Sequence, residues 1–164
     1  MYESIEKLTL LTYSIIILIC FRPFLFFFAN RIFEIKPDAA AYFKFTDGFE
    51  TTDEALYKQE VFIKHVKMVI LTVTSAVDLL EKENMDELFR MLKLLGAKHL
   101  SAGLKLEKEH YNLVGMALLD TLGKALGGIF TEAVKSAWIG VYAIIASKMM
   151  EGAEEYLKEE KKQD

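Results

Sequence analysis

One cysteine, two prolines and nine glycines are all that this 164-residue chain holds of the residue types that cross-link, break or loosen a backbone. Cys20 alone cannot close an internal disulfide or build a cysteine-based zinc site, so nothing argues for an oxidising compartment. Basic residues are in no excess, and the formal charge of −4 removes the electrostatic reason to bind nucleic acid. Period-two alternation of apolar and polar residues is absent, which excludes half-buried strands as the main element. A long charge-free run is missing too. Leu8 to Asn30 is interrupted by Arg22 and Pro23, and Leu8 to Phe21 falls short of the roughly 20 apolar residues that span a bilayer. An arginine near the middle of such a segment costs about 2.5–3.5 kcal/mol on insertion. Two buried helices meeting at a corner near Arg22-Pro23 are therefore expected, with a membrane anchor through residues 8–30 as the alternative. Glu3 and Glu6 against Lys7, with no small-residue cleavage site behind them, do not read as a secretory leader. The cytoplasm is the expected compartment.

What is present is the composition of a packed helical protein, 52% hydrophobic and 27% charged. The length suits one domain, expected over residues 1–159, with residues 160–164 as a solvated tail. Apolar residues recur three and four apart almost throughout, so the fold class is all-α. Thr46-Asp47-Gly48 supplies turn chemistry, and Thr51-Thr52-Asp53-Glu54 has the form of a capping box that starts a helix running to about Lys82. The apolar stripe expected there, Val61, His65, Val69, Val73, Ala76 and Leu80, places His65 on the buried face. Asn84-Met85-Asp86-Glu87 repeats the capping pattern, and Leu88, Leu92, Leu95 and His99 line the next helix up to a stop at Gly103. Two further helices are expected at about Glu107 to Leu126 and about Thr131 to Glu159, parted by Gly127-Gly128, with Thr131 as an N-cap.

Two inward-facing histidines on separate helices are a chemical opportunity, because neutral imidazole is a good iron ligand and a helix presents it rigidly. The pair by itself leaves ordinary core packing open. No Cys-x-x-Cys-His occurs, which excludes covalent haem attachment. The segments around the pair resemble globin motifs, in the family's order, over nearly the whole chain. Phe33-Glu34-Ile35-Lys36-Pro37-Asp38 followed by Phe43 is similar to the end of the globin B helix, the C-helix proline and the phenylalanine that stacks on haem. Leu94-Leu95-Gly96-Ala97-Lys98-His99 resembles the proximal F-helix motif. The stretch from Gly103 to Gly115 resembles the entry to the G helix, and that from Phe130 to Trp138 the start of the H helix. The likeness is greatest to neuroglobin-like and invertebrate intracellular globins.

This resemblance implies a globin fold of seven to eight helices around a pocket for non-covalent haem b. It implies His99 as the proximal iron ligand and His65 as the distal residue, which either hydrogen-bonds a bound gas or ligates iron as a sixth ligand. Phe43, Val69, Leu95, Leu104 and Tyr111 match haem-packing positions. His110 takes no ligand role and is expected at the surface or the haem edge. Lys44, Lys64 and Lys67 carry the charge to face haem propionates but read equally well as solvated side chains. The methionines, Met149 and Met150 included, read as packing residues.

The N-terminal A and B region departs from the family pattern. The usual A-helix tryptophan is missing, with Tyr13 and Ser14 nearby. Leu25 and Val66 stand where small residues let the B and E helices cross closely, so a wider or strained crossing is expected. Ala29 occupies a distal position usually filled by a bulky side chain, which enlarges the ligand pocket. The function implied is reversible binding of oxygen or another diatomic gas, for storage, transport or sensing. A second reading is a bis-histidine redox protein that works with a reductase in electron transfer, or as a slow nitric oxide dioxygenase or nitrite reductase. The lack of a distal B-helix tyrosine and of a fused reductase domain favours binding over dedicated catalysis. A haem-free helical or membrane-anchored interaction module is the third reading.

Overall fold

The structure, a computed structural model, describes residues 22–43, 46–51 and 53–162. These carry five α-helices: α1 (Arg22–Ile35), α2 (Glu60–Glu81), α3 (Met85–Ser101), α4 (Lys108–Leu126) and α5 (Glu132–Glu160). Short 3-10 turns occupy Pro37–Tyr42, Leu56–Lys58 and Gly127–Ile129. There is no strand among the described residues, as the missing period-two pattern requires. The run from Leu8 to Phe21 and the expected corner before Arg22 lie outside the described residues. Among the described residues no helix is long and apolar enough to cross a membrane.

Helix α1 buries Phe28, Ala29, Ile32 and Phe33, a stripe at helical spacing. It stops where Pro37 restricts its predecessor: Lys36 is pushed to φ −143°, ψ 91°, and the chain tightens into a 3-10 turn with the proline at its start. The stripe packs on α4, where Arg31 reaches Asp120 at 2.7 Å. Helix α3 lies antiparallel along α5, and α2 spans both of them and α1. Trp138 of α5, Leu88 and Leu92 of α3, and Leu122 of α4 are buried almost without residue. Each such side chain contributes about 1.5–3 kcal/mol relative to exposure.

The α2 boundary differs from the expected one. No helix starts at Thr51; Thr51, Glu54 and Ala55 lie in turns and α2 begins at Glu60. The cause is tertiary. Leu56 and Tyr57 are buried in a 3-10 turn, and the Tyr57 hydroxyl is shared between the Thr51 carbonyl and Asn30 Oδ1, which anchors the loop to α1. Glu54 pairs with Lys58 at 2.9 Å instead of closing a capping box. The stripe is also turned by one residue: Phe62, Val66, Ile70, Val73, Ala76 and Val77 are buried, whereas Val61 is 63% exposed.

Other boundaries fall where local chemistry places them. Asn84 caps α3 by accepting the Glu87 N–H at 3.3 Å. Gly103, at φ +85°, turns the chain after α3 so that its own N–H and that of Leu104 satisfy the carbonyls of Leu100 and His99. Thr131 Oγ1 accepts the Val134 N–H at the start of α5. The last helix runs through Glu160, one residue into the expected tail.

Candidate functional site

Where α1 crosses α2, the packing is incomplete. Phe28, Ala29 and Ile32 of α1 face Phe62, His65, Val66 and Val69 of α2 across a cavity of about 40 Å³, which Phe43 and Val114 also border. Val66 is buried at this crossing, and α1 leans more on α4 than on α2. The side chain of Leu25, the other residue expected to widen the crossing, lies outside the described set. Ala29 lines the space as its small size suggested. The space is large enough to admit a small molecule such as a diatomic gas, and walls this apolar keep it dry.

His65 supplies the one imidazole in that wall. Its ring meets the Phe43 ring edge to face, with centroids 5.5 Å apart. Burial is the main cause that holds its pKa below the ordinary histidine value, with a smaller electrostatic contribution from the neighbouring His99. At neutral pH the side chain is therefore neutral imidazole, with a nitrogen lone pair free of a proton.

His99 is oriented by its own helix. Its Nδ1 lies 2.8 Å from the Leu95 carbonyl oxygen. A carbonyl can only accept, so Nδ1 carries the proton and donates it, which leaves Nε2 as the lone-pair nitrogen. This is the arrangement that fixes the tautomer and raises the basicity of a metal-binding histidine. Among the described residues no group of three or more His, Cys, Asp or Glu side chains gathers to hold a metal by itself.

The residues expected to join the site fall into three groups. Phe43, His65 and Val69 share the cavity wall. Leu95 and Leu104 flank His99 through the backbone, Leu95 by its carbonyl and Leu104 by an N–H donated to the His99 carbonyl. Tyr111 is buried on α4, and its carbonyl accepts the Tyr142 hydroxyl at 2.9 Å. It does not border the cavity. Lys44 lies outside the described residues, and Lys64 and Lys67 are exposed. His110 is half-buried, packed against Tyr42 with ring centroids 4.3 Å apart, and its Nδ1 accepts the Glu107 N–H in a reciprocal cap that starts α4. Phe28, Ile32, Phe62 and Val114 were not expected in the site. The three- and four-residue spacing of Phe28 with Ile32, and of Phe62 with Val66 and Val69, is the signal that marks most of them.

The same span of chain matches known proteins. A globin family model covers residues 27–149, which include every residue of the cavity and both histidines. The chain is 31% identical to the neuroglobin of Tetraodon nigroviridis over 123 residues, 75% of this chain and 74% of that protein. It is 32% identical to the neuroglobin of Danio rerio over the same length and shares. With that match and an all-helical fold among the described residues, this chain belongs to the globin family.

Proposed function

We propose that the chain binds haem b non-covalently, with His99 as the proximal iron ligand and His65 on the distal side, and takes up oxygen or another diatomic gas reversibly. The observations that carry this reading are His65 in the wall of the apolar cavity and the His99 ring held through Nδ1 by the Leu95 carbonyl, which leaves Nε2 as its ligand atom. A neutral imidazole nitrogen is a good iron ligand, so His99 through Nε2 would hold the haem iron and His65 would stand on its other side. When bound, ferrous haem supplies the coordination site at which a diatomic gas is held reversibly.

The chain's own residues do the rest. Phe43, Val69, Leu95, Leu104 and Tyr111 would supply apolar surface to the bound haem, and a dry pocket strengthens every polar interaction inside it. The small cavity behind His65 accepts the gas. His65 either donates a hydrogen bond to it or competes with it for iron. We take competition, with both histidines bound in the resting state, as the form of this reading to test. Gas affinity is then reduced by the fraction of protein in the His65-bound form. A single domain over residues 1–159 and a cytoplasmic setting belong to the same reading. The redox alternative, which needs a reductase as partner, draws on the same histidine pair.

The test is the visible spectrum of protein purified from haem-supplemented cells. A Soret band is expected, and its absence would sink the proposal. Low-spin six-coordinate bands are expected for the reduced, ligand-free form. His65→Leu should convert them to five-coordinate high-spin bands and speed gas capture, while hastening gas loss through the missing hydrogen bond. A wild-type spectrum that is already five-coordinate and unchanged by His65→Leu would refute ligation by His65.

A further inference from the structure

Helix α3, which carries His99, is pressed against α5 more closely than side chains allow. A Cβ atom on Gly96 would overlap the Met149 carbonyl oxygen and lie 2.7 Å from its carbon. On Gly152 it would overlap the Lys93 carbonyl oxygen and lie 2.5 Å from that carbon. The obstacles are backbone atoms, so no rotamer change relieves them. The notches are reciprocal. Each helix offers one glycine to the other's backbone, and on each helix the glycine and the backbone it receives lie within one turn of each other.

An ionic lattice runs beside the notches. Lys93 Nζ lies 2.6 Å from Glu151 and 2.7 Å from Glu155. Lys148 Nζ lies 2.6 Å from Glu151 and 4.4 Å above the centre of the Phe89 ring. Gly96 sits between Leu95, whose carbonyl holds the His99 ring, and His99 itself, three residues on. The backbone contact, the acceptor and the imidazole therefore share one helical turn, and a displacement of α3 at the notch is passed directly to the ring. Helix α2, which carries His65, contains no glycine.

We infer that the double notch of Gly96 and Gly152 makes α5 the positioning element for His99, fixing the register of the proximal imidazole. Gly96 and Gly152 are positioning residues in this scheme and touch no ligand. The inference rests on the proposed role of His99 towards haem.

Its test reads the iron–histidine stretching band of ferrous protein immediately after photolysis of bound carbon monoxide, which reports His99 whatever His65 does. Gly152→Ala forces the helices apart, and the band is expected to move to lower frequency. Gly140→Ala, on the same helix but with open space around the added methyl, is expected to leave it in place. If Gly152→Ala does not yield haem-loaded protein, Lys93→Glu sets like charges against Glu151 and Glu155 without a steric clash. Arg90→Glu, whose partner Glu87 is on α3 itself, is the control for that charge change. The band should move with Lys93→Glu and not with Arg90→Glu. An unmoved band in a haem-loaded Gly152→Ala or Lys93→Glu protein overturns the inference while leaving the haem reading intact, whereas a wild-type chain without a Soret band overturns that reading itself.

Discussion

Replacing Ala29 with valine places two methyl groups at the edge of the cavity between α1 and α2. The cavity measures about 40 Å³. At about 24 cal/mol per Å³, removing it returns about 1 kcal/mol. Valine in a helix interior gives back up to about 0.7 kcal/mol through its restricted side chain. The sum is a change close to zero, slightly on the stabilising side. Ala117 supplies the contrast: it is 0% exposed and does not border the cavity, so Ala117→Val overpacks the core. That costs about 1–3 kcal/mol. Urea unfolding of the haem-free chains measures both, as midpoint shifts at constant slope. In haem-loaded protein, xenon under pressure should alter carbon monoxide rebinding in the wild type and not in Ala29→Val. Equal losses of stability in the two variants, or a xenon effect that survives Ala29→Val, would refute the reasoning that the space is real and accessible to gas.

His99→Ala should lose most of its haem, because the axial bond goes while the apolar contacts remain, and free imidazole should restore part of it. Wild-type haem content in that variant would show the assignment to be wrong. Leu92→Ala empties a fully buried position between α3 and its neighbours and should cost about 2–5 kcal/mol in urea unfolding. Leu94→Ala, two residues away and 51% exposed, should stay within about 0.5 kcal/mol of wild type. Lys148 and Lys93 hold the Glu151 carboxyl at about 2, below the ordinary 4.5. The unfolded chain therefore takes up this proton first, so the stabilising contribution is present above about pH 4.5 and fades as pH falls towards 2. Glu151→Gln should flatten the acid side of a stability-against-pH curve, and an unchanged curve would contradict the ion pairs.

Read alone, the sequence determined most of the helical layout, because caps and periodicity act over a few residues. Asn84 and Thr131 accept N–H groups three positions on, Gly103 supplies a positive φ, and Pro37 restricts Lys36. The place of His65 on the cavity wall follows from the same three- and four-residue spacing. Where two neighbours are equally apolar the pattern loses its register: Val61 and Phe62 both fit a stripe, and only contact with the rest of the fold turned Phe62 in and Val61 out. The start of α2 was likewise decided by Tyr57 bonding to Thr51 and Asn30, across a gap of 27 residues in the latter case. The cap of Glu107 and His110 lacks the usual Ser or Thr and was not legible as one. Gly96 and Gly152 read locally as weak points within helices. Their purpose exists only where α3 meets α5 and two backbones come closer than any side chain permits. The cavity is tertiary in the same sense: Ala29 is small in any context, but the space beside it stays open because Ile32, Phe62, Val66 and Val114, brought in from three helices, stop short of filling it.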